Sequence, residues 1–343
     1  MPAPTKSLNP AVIRLAHPLA FSAYLQNIGA PSDSYFRRQG LPTLCKDANV
    51  FVPLKMAWGV FSDAALREDR DIGWKVGQFS GDNGLNSGLL KKLDNSPTLY
   101  LALQKLIRLI NSEASHLKLG LLEFAQRVLL FTHYPGMREQ SGYLVSQTYQ
   151  LEVLIDVIRH FVGATWTPAS IGVEAGRFPE LLRNRYPSTE LKSNQPFGYI
   201  AIQRSALHLN LSTSHEVAGN GAPIVQIDKL NFADTLGLLL EPYLSLGYPS
   251  RRFAASLTDH SPRTLSRRLA DCGKGYQSVV DEARFKKACH LIKNSDRSIT
   301  EVARAVGFND QANFSRQFKR VGGLSPMHFR KLKPTDHEGI PHN

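Results

Sequence analysis

Apolar residues recur every three or four positions near the end of the chain, which is the spacing that buries one face of an α-helix. A first short helix is predicted from the apolar positions Ile299, Val302, Ala303 and Val306. Gly307 predicts the end of that helix, because glycine has no Cβ to oppose a left-handed backbone. A second helix is predicted after Asp310, a capping residue, with Phe314 and Phe318 on its inner face.

Two short helices joined by a tight turn form the helix-turn-helix pattern, in which the second helix is free to enter a DNA major groove. With the two phenylalanines inside, a rotation of about 100° per residue leaves a polar outer arc. That arc holds Ala312, Asn313, Arg316, Lys319 and Arg320. Asn suits adenine, Arg suits guanine, and Ala suits a thymine methyl group. The alternative for a single such pattern is a surface helix whose charges only keep the protein in solution.

The same pattern occurs a second time, 49 residues earlier. This shift places residues 250–273 on residues 299–322 without a gap. The matched pairs are Phe253 with Val302, Ala254 with Ala303, Leu257 with Val306, Leu265 with Phe314, Ser266 with Ser315, Arg267 with Arg316, Leu269 with Phe318, and Gly273 with Gly322. Because apolar and polar positions are kept together, the match indicates a duplicated helix-turn-helix unit.

The earlier copy carries its own helix-start signals. Ser261 is the predicted cap and Pro262 takes the first helical position, which proline tolerates. The same angular spacing predicts that Arg263, Thr264 and Arg267 face outward.

Between the copies, residues 275–294 contain no proline and predict one continuous helix. Its apolar face is formed by Val280, Ala283, Ala288, Leu291 and Ile292. A helix of about 18 residues spans about 27 Å, which could hold two reading helices roughly one DNA turn apart. Arg284 lies within the apolar face, so we predict an internal structural contact rather than a phosphate contact.

Residues 250–330 resemble the DNA-binding domain of the AraC/XylS family of bacterial transcription regulators. The resemblance rests on SPRTLSRRL in the first copy, EARFKKACHLI in the linking helix, and ITEVARAVGFNDQANFSRQFKRVGGLSPMHFR in the second copy and closing helix. It covers about a quarter of the chain. One departure is Val321-Gly322, where such proteins often have an aromatic residue and Thr. The base-contacting positions implied by the resemblance are Arg263, Ser266 and Arg267 in the first copy, and Gln311, Ala312, Asn313, Ser315 and Arg316 in the second.

The positive charge is concentrated on the same segment. The chain of 343 residues has a net charge of +12. Residues 245–333 hold 18 Lys and Arg against 7 Asp and Glu, or +11, and the remainder holds 23 against 22, or +1. A solvated basic face would explain the charge alone, but its coincidence with the repeat favours a polyanion-binding module.

Cysteine usage and hydropathy favour a cytoplasmic protein. Three cysteines without a C-x-x-C spacing (Cys45, Cys272 and Cys289) argue against a disulfide scaffold or a zinc site. Neither a signal-peptide pattern nor an apolar stretch of membrane-spanning length is present in the sequence.

The first two-thirds of the chain predicts an α+β domain with a few-stranded antiparallel sheet. Helices are predicted at residues 18–28, 32–38, 56–69, 96–111 and 141–163. Strands are predicted at residues 49–54, 116–122, 126–132, 170–173, 190–193 and 199–203. Trp58, Phe61 and Leu66 are predicted to face inward, and Ser96 to cap its helix. The glycine-rich residues 80–88 predict a flexible loop, because no Gly-Lys-Ser/Thr follows to make a phosphate loop.

We find no catalytic motif in this region, and we expect no metal and no cofactor. His133 and His160 are interpreted as surface or core histidines, since a metal site needs several convergent donors. Aromatic residues could line a ligand cavity, although core packing is the stronger interpretation. They are Phe21, Tyr24, Tyr35, Phe36, Trp58, Phe61, Trp74, Phe79 and Phe124.

The predicted organisation is an N-terminal effector-binding or dimerisation domain (residues 1–221), an all-α domain with two helix-turn-helix motifs (222–334) and a disordered tail (335–343). The linker AGNGAP spans residues 218–223, and a helix from 231 to 246 leads into the first copy. The N-terminal half is similar, more weakly, to the ligand-binding domains of one AraC subfamily, through IGWKVGQFS and residues 96–132.

The expected function is a transcription regulator that binds specific sites on double-stranded DNA, under control of a small-molecule effector. The resemblance implies activation through RNA polymerase as the commoner mode, and homodimerisation as one role of the N-terminal domain. Activation and repression are both left open by the residues. The competing hypotheses are an architectural DNA-coating protein and an enzyme using Cys45, beside which no His or basic partner is recognisable.

Overall fold

The structure, a computed structural model, describes residues 9–176, 178–209 and 225–332. These residues form two compact units: the first comprises residues 11–229, and the second comprises residues 230–332 with Asn9 and Pro10. The predicted linker at 218–223 and the predicted tail at 335–343 lie outside the described residues. Within the described ranges, none of the helices combines the length and hydropathy needed to cross a membrane.

The first unit is α+β, as the sequence predicts. Its helices are α1 (Ala16–Asn27), α2 (Ser32–Gln39), α3 (Leu54–Arg67), α4 (Ile72–Asp82), α5 (Ser87–Leu93), α6 (Leu99–Leu109), α7 (Tyr143–Val162) and α8 (Glu180–Arg185). Its strands are β1 (Val12–Arg14), β2 (Phe51–Pro53), β3 (Lys118–Glu123), β4 (Arg127–His133), β5 (Ser170–Gly172), β6 (Glu190–Lys192) and β7 (Gly198–Gln203).

Strands β3 to β7 form a five-stranded sheet in the order β3-β4-β7-β5-β6, and β1 and β2 form a separate two-stranded sheet. Strand β4 alternates as expected for a half-buried strand, with Val128, Leu130 and Thr132 buried. The prediction of an antiparallel sheet is wrong at one edge, because β5 and β6 run parallel. Helix α8 lies between those two strands in the chain and provides the crossover that a parallel pair requires.

Two apolar clusters form the core of this unit. One packs α6 and α7 against the sheet, and the other joins α1, α2 and α3 with β1 and β2. Phe21 and Phe61 stack in the second cluster with ring centroids 3.9 Å apart. The aromatic residues therefore pack mainly as core, although Phe124 is 48% exposed in the turn after β3.

Helix α4 crosses α7 at close range through three glycines spaced four residues apart. A Cβ at Gly73 would lie 2.4 Å from the carbonyl oxygen of Val145, and one at Gly77 would lie 2.4 Å from the Cβ of Glu152. Gly81 stands against Asp156 in the same way, with 3.0 Å to its Oδ1. The prediction of a loop at 80–88 holds only for residues 83–86, because α4 continues through Gly81 to Asp82 and α5 begins at Ser87.

Two further predictions for this unit are wrong. Leu66 is 81% exposed because it follows Phe61 by five residues, or about 140° around α3, and so leaves the buried face. Ser96 does not cap α6; the Thr98 side chain accepts from the backbone N–H of Leu101 at 3.3 Å instead.

The second unit is all-α, in agreement with the prediction. Its helices are α9 (Phe232–Leu240), α10 (Arg251–Leu257), α11 (Pro262–Asp271), α12 (Tyr276–Asn294), α13 (Ile299–Ala305), α14 (Gln311–Gly322) and α15 (Pro326–Lys331). The predicted helix at 231–246 is α9 followed by a 3-10 segment, Glu241–Leu246. Helices α10–α11 and α13–α14 are the two helix-turn-helix copies, and α12 joins them.

The two copies are equivalent helix pairs, but the ungapped shift of 49 is wrong in the first helix. The backbone N–H of His260 donates to Ala255 O at 3.0 Å, and that of Phe308 donates to Ala303 O at 2.9 Å. These matching bonds are 48 residues apart. The buried pairs are therefore Ala254 with Val302, Ala255 with Ala303, and Thr258 with Val306.

The shift becomes 49 at the next helix, whose caps are Ser261 and Asp310. It becomes 50 at the left-handed glycines after the helices, Gly273 (φ 68°) and Gly323 (φ 77°). The second copy thus has one more residue in its turn and a longer second helix. Gly322 is not the partner of Gly273, because it lies inside α14.

Candidate nucleic-acid interface

Helix α14 is anchored by two phenylalanines and a charged cap. Phe314 and Phe318 are 2% and 3% exposed. The ring of Phe318 packs against those of Phe285 on α12 and Phe329 on α15, with ring centroids 4.7 Å and 5.6 Å apart. Asp310 accepts from the backbone N–H of Asn313 at 2.7 Å, which lowers the pKa of its carboxyl. The inner face and start of the helix are therefore fixed.

The departure at Val321-Gly322 also serves this packing. A Cβ on Gly322 would lie 2.3 Å from two atoms of the Phe285 ring. The glycine lets the aromatic ring of α12 lie directly on the backbone of α14.

The outer face of α14 is exposed and polar. Its exposed residues are Gln311, Ala312, Asn313, Arg316, Lys319 and Arg320, and Ser315 is half-buried. The structure thus places the predicted residues of the second copy together along one helix.

Hydrogen bonds order the side chains at the start of this face. Asn313 donates its amide to the second carboxylate oxygen of Asp310, and the Arg316 guanidinium donates to Asn313 Oδ1. Gln311 Oε1 accepts from the hydroxyl of Thr300 on α13 at 2.7 Å. A chain of side chains is therefore aligned before any partner arrives, which reduces the entropy lost on binding.

Arg320 is engaged differently from its neighbours. Its guanidinium donates to Asp281 Oδ2 on α12 at 2.8 Å and to Gln317 Oε1 at 3.1 Å. Asp281 is buried, so the pair ties α14 to α12. Asp281 is not predicted from the sequence as part of this site. Its position, as an acid on the buried side of α12, is the feature that could have indicated a basic partner.

Helix α11 presents two arginines. Arg263 and Arg267 are exposed, whereas Thr264 and Ser266 are half-buried. The hydroxyl of Thr264 lies 3.0 Å from Ser261 Oγ, and that of Ser266 donates to Pro262 O at 3.0 Å. The hydroxyls of Thr264 and Ser266 thus form hydrogen bonds with residues at the start of their own helix. The guanidiniums of Arg263 and Arg267 are the exposed groups of this helix that extend towards a partner.

Helix α12 has 19 residues, or about 28 Å at 1.5 Å per residue. The prediction of an internal role for Arg284 is confirmed. It is 7% exposed, donates to Gly307 O at 3.0 Å, and lies over the rings of Phe308 (4.5 Å) and Tyr248 (5.0 Å). Burial lowers the pKa of this guanidinium, and the ring faces and carbonyl offset its desolvation.

In the first unit, the two histidines interpreted as surface or core residues each pair with an acid. His133 pairs with Glu174 at 3.0 Å and His160 with Asp94 at 2.7 Å. Within the described ranges, no group of three or more His, Cys, Asp or Glu side chains could hold a metal ion. Cys45 is half-buried against the apolar cluster of α1 to α3.

Residues 254–332 match a family profile described as a helix-turn-helix domain. The transcriptional regulator VqsM of Pseudomonas aeruginosa is 36% identical over 83 residues, which are 24% of this chain and 26% of VqsM. The transcriptional activator RhaS of Escherichia fergusonii is 41% identical over 81 residues, 23% of this chain and 27% of RhaS. The matched segment spans about a quarter of each relative.

Among solved structures, the transcriptional regulator CdpR from Pseudomonas aeruginosa is similar over 88% of this chain and 96% of its own. Its sequence identity to this chain is 18% and its TM-score is 0.36.

The fold and the matched profile define the C-terminal unit as a DNA-binding domain with two helix-turn-helix motifs. It is of the AraC type, so the resemblance identified from the sequence is confirmed for this domain.

Proposed function

We propose that the chain is a sequence-specific transcription regulator in which α11 and α14 enter two successive major grooves of one DNA site. One observation carries the proposal: two equivalent helix pairs each present an exposed polar and basic face and are joined by a single helix, α12. The names of VqsM and RhaS, a regulator and an activator, support the same class. Activation, recruitment of RNA polymerase and a homodimeric form are part of the proposal.

The residues proposed to contact DNA differ in role. Arg267 and Arg316 are assigned to bases, because arginine makes paired hydrogen bonds to guanine. Arg263, Thr264, Ser266, Gln311, Ala312, Asn313 and Ser315 complete the reading surface. Lys319 is assigned to phosphate, and Arg320 to phosphate while Asp281 holds it in place.

The remaining chain is proposed to sense a small molecule in the cytoplasm. We assign residues 1–221 to effector binding or dimerisation, 222–334 to DNA binding and 335–343 to a tail. The first unit supports the sensing role through its own core and a cavity lined by charged residues.

The test is selection of binding sites from a random duplex library with the full chain, followed by affinity measurements on the selected site and on a scrambled one. A regulator should prefer its site by about 10³ or more. Arg316→Ala should cost about 1–3 kcal/mol at one base pair and relax the preference there. Equal affinity for all duplexes would instead support an architectural role.

Lys319→Ala separates phosphate contact from base reading. It should weaken binding to both duplexes alike and flatten the salt dependence by about one unit. Arg67→Ala, which removes an exposed charge at the end of α3, is the control and should change neither quantity. A uniform loss on every sequence for both Arg316→Ala and Lys319→Ala would contradict the assigned roles.

A further inference from the structure

A polar cavity of about 450 Å³ lies in the first unit, between α4, α7 and α8. This volume falls within the range of small-molecule sites. Helix α7 lines it with charged residues on successive turns, and Gly77 and Gly81 of α4 also line it. The residues carrying its chemistry are Asp82, Glu152, Asp156, Arg159, His160 and Arg185.

Glu152 is the most buried charged group of this cavity. It is 3% exposed, and its Oε2 accepts from the Tyr186 hydroxyl at 2.9 Å. Burial raises the pKa of this carboxyl to about 7, although Arg185 and Arg159 oppose the shift. A buried carboxyl is costly unless a donor or cation meets it, so this group is suited to a cationic ligand atom.

Two guanidiniums stand beside Tyr186. Arg159 lies 5.3 Å from the Tyr186 ring centroid and Arg185 lies 5.7 Å from it. Arg159 Nε donates to Trp166 O at 2.9 Å, and Arg185 Nε donates to the Tyr186 hydroxyl at 3.1 Å. Fixing each guanidinium by its Nε favours binding of a carboxylate through the terminal nitrogens.

Asp156 supplies a second acid to the cavity. Its Oδ2 accepts from Asn86 Nδ2 at 2.9 Å, and Gly81 leaves its Oδ1 close to the backbone of α4. Asp82 lies 3.9 Å from an Arg185 nitrogen, a loose pair that a ligand carboxylate could displace. The cavity is therefore lined by both acids and guanidiniums.

We propose that this cavity binds a free L-α-amino acid, with its carboxylate on Arg159 and Arg185 and its ammonium on Glu152 and Asp156. A ligand carrying only one sign of charge would pair with only one of these two sets of groups. The identification of this amino acid as the effector rests on the proposed function.

The binding test uses isothermal titration calorimetry on the full chain with the twenty proteinogenic L-amino acids. At least one should bind, and its decarboxylated amine and its deaminated acid should each bind at least tenfold more weakly. If no amino acid binds, or if either analogue binds equally well, the proposal is overturned.

Protonation gives a second readout. An ammonium beside Glu152 should lower the pKa of its carboxyl, so binding should release protons near pH 6 and tighten as pH rises towards 7. The charged groups that act on this carboxyl are Asp82, Arg159 and Arg185, and Asp156 and His160 line the same cavity. Titrations in two buffers of different ionisation enthalpy count the protons, and Glu152→Gln should abolish their release while keeping an acceptor for Tyr186.

Arg185→Gln should weaken amino-acid binding at least tenfold, whereas Arg183→Gln, an exposed position on the same helix, should leave it unchanged. Equal binding by both variants would contradict the assignment. Binding to the selected DNA site is measured in parallel. Normal DNA recognition without amino-acid binding would refute only the cavity proposal, and amino-acid binding without DNA recognition would refute the proposed function.

Discussion

The two helix-turn-helix copies have different residues at the left-handed position of their turns. In the first, Asp259 takes the left-handed backbone conformation (φ 55°), and in the second Gly307 takes it (φ 81°). A Cβ on Gly307 would lie 2.1 Å from Leu244 O and 3.0 Å from the Arg284 guanidinium. The second turn is therefore pressed against the rest of the domain, and its glycine is required by crowding as well as by backbone conformation.

The two copies also differ in the side chains on the buried face of their second helix. Leu265 and Leu269 anchor α11, whereas Phe314 and Phe318 anchor α14 within a cluster of aromatic rings. Aromatic rings bury more area and have preferred geometries. We infer that α14 is packed more rigidly than α11.

The largest expected effect is on this aromatic cluster. Phe318→Ala should lower the free energy of unfolding by about 3–5 kcal/mol, because it opens a cavity between α12, α14 and α15. Urea denaturation followed by circular dichroism measures the change. Leu246→Ala, at a residue that is 71% exposed, is the control, and an equal loss in both variants would contradict the proposed core.

Gly307→Ala tests the crowded turn. It should destabilise the domain by about 1–3 kcal/mol from overpacking, in addition to the cost of a left-handed alanine of about 1 kcal/mol. Gly323→Ala has a similar φ (77°) with no atom within 4 Å of its Cβ, so it should show the backbone cost alone. Equal urea midpoints for the two variants would show that crowding against Leu244 O does not contribute to the loss of stability.

The smallest effect is a pH dependence confined to the second copy. In the second copy, Asp310 caps α14, and Glu301 forms a capping box with Ser298, the N-cap of α13. Hydrogen bonds from the backbone N–H groups of Ser298 and Asn313 lower the pKa values of Glu301 and Asp310. The first copy is capped by the hydroxyls of Ser250 and Ser261. A lowered folded-state pKa gives stability that is present above the unfolded value of about 4 and lost as pH falls through the folded value.

Amide hydrogen exchange, corrected for intrinsic rates at pH 6 and pH 3.5, should show protection lost at the start of α14 and kept at the start of α11. Asp310→Ser, which installs the cap type of the first copy, should remove the difference for α14. Matching pH responses of α11 and α14 in the unaltered chain would contradict it.

The sequence predicts the duplicated pattern well because apolar spacing directly determines which helix face is buried. It misplaces the register because Ala254 and Ala255 are adjacent buried residues, so an apolar match is satisfied by a shift of either 48 or 49. Backbone hydrogen bonds and the left-handed residue settle the choice, and neither is visible in the residue pattern.

In the first unit, the sequence locates most of the helices and strands but misreads glycine. Gly73, Gly77 and Gly81 are spaced by four, which brings α4 close to α7, yet a glycine-rich stretch is also typical of loops. The partners of charged residues were equally inaccessible: the pairing of Arg320 with Asp281 depends on a contact 39 positions apart. For the site, the exposed faces are predictable from helical spacing, whereas side-chain engagement is not.

The position of Arg284 bears on how the protein would measure a promoter. This side chain contacts Tyr248, just before α10, and the Gly307-Phe308 turn of the other copy. A single inserted base pair rotates one half-site about the duplex axis by about 34–36° relative to the other. A domain in which Arg284 contacts both helix-turn-helix copies has little freedom to follow that rotation. The spacing of the two half-sites should therefore be as strictly selected as their sequence.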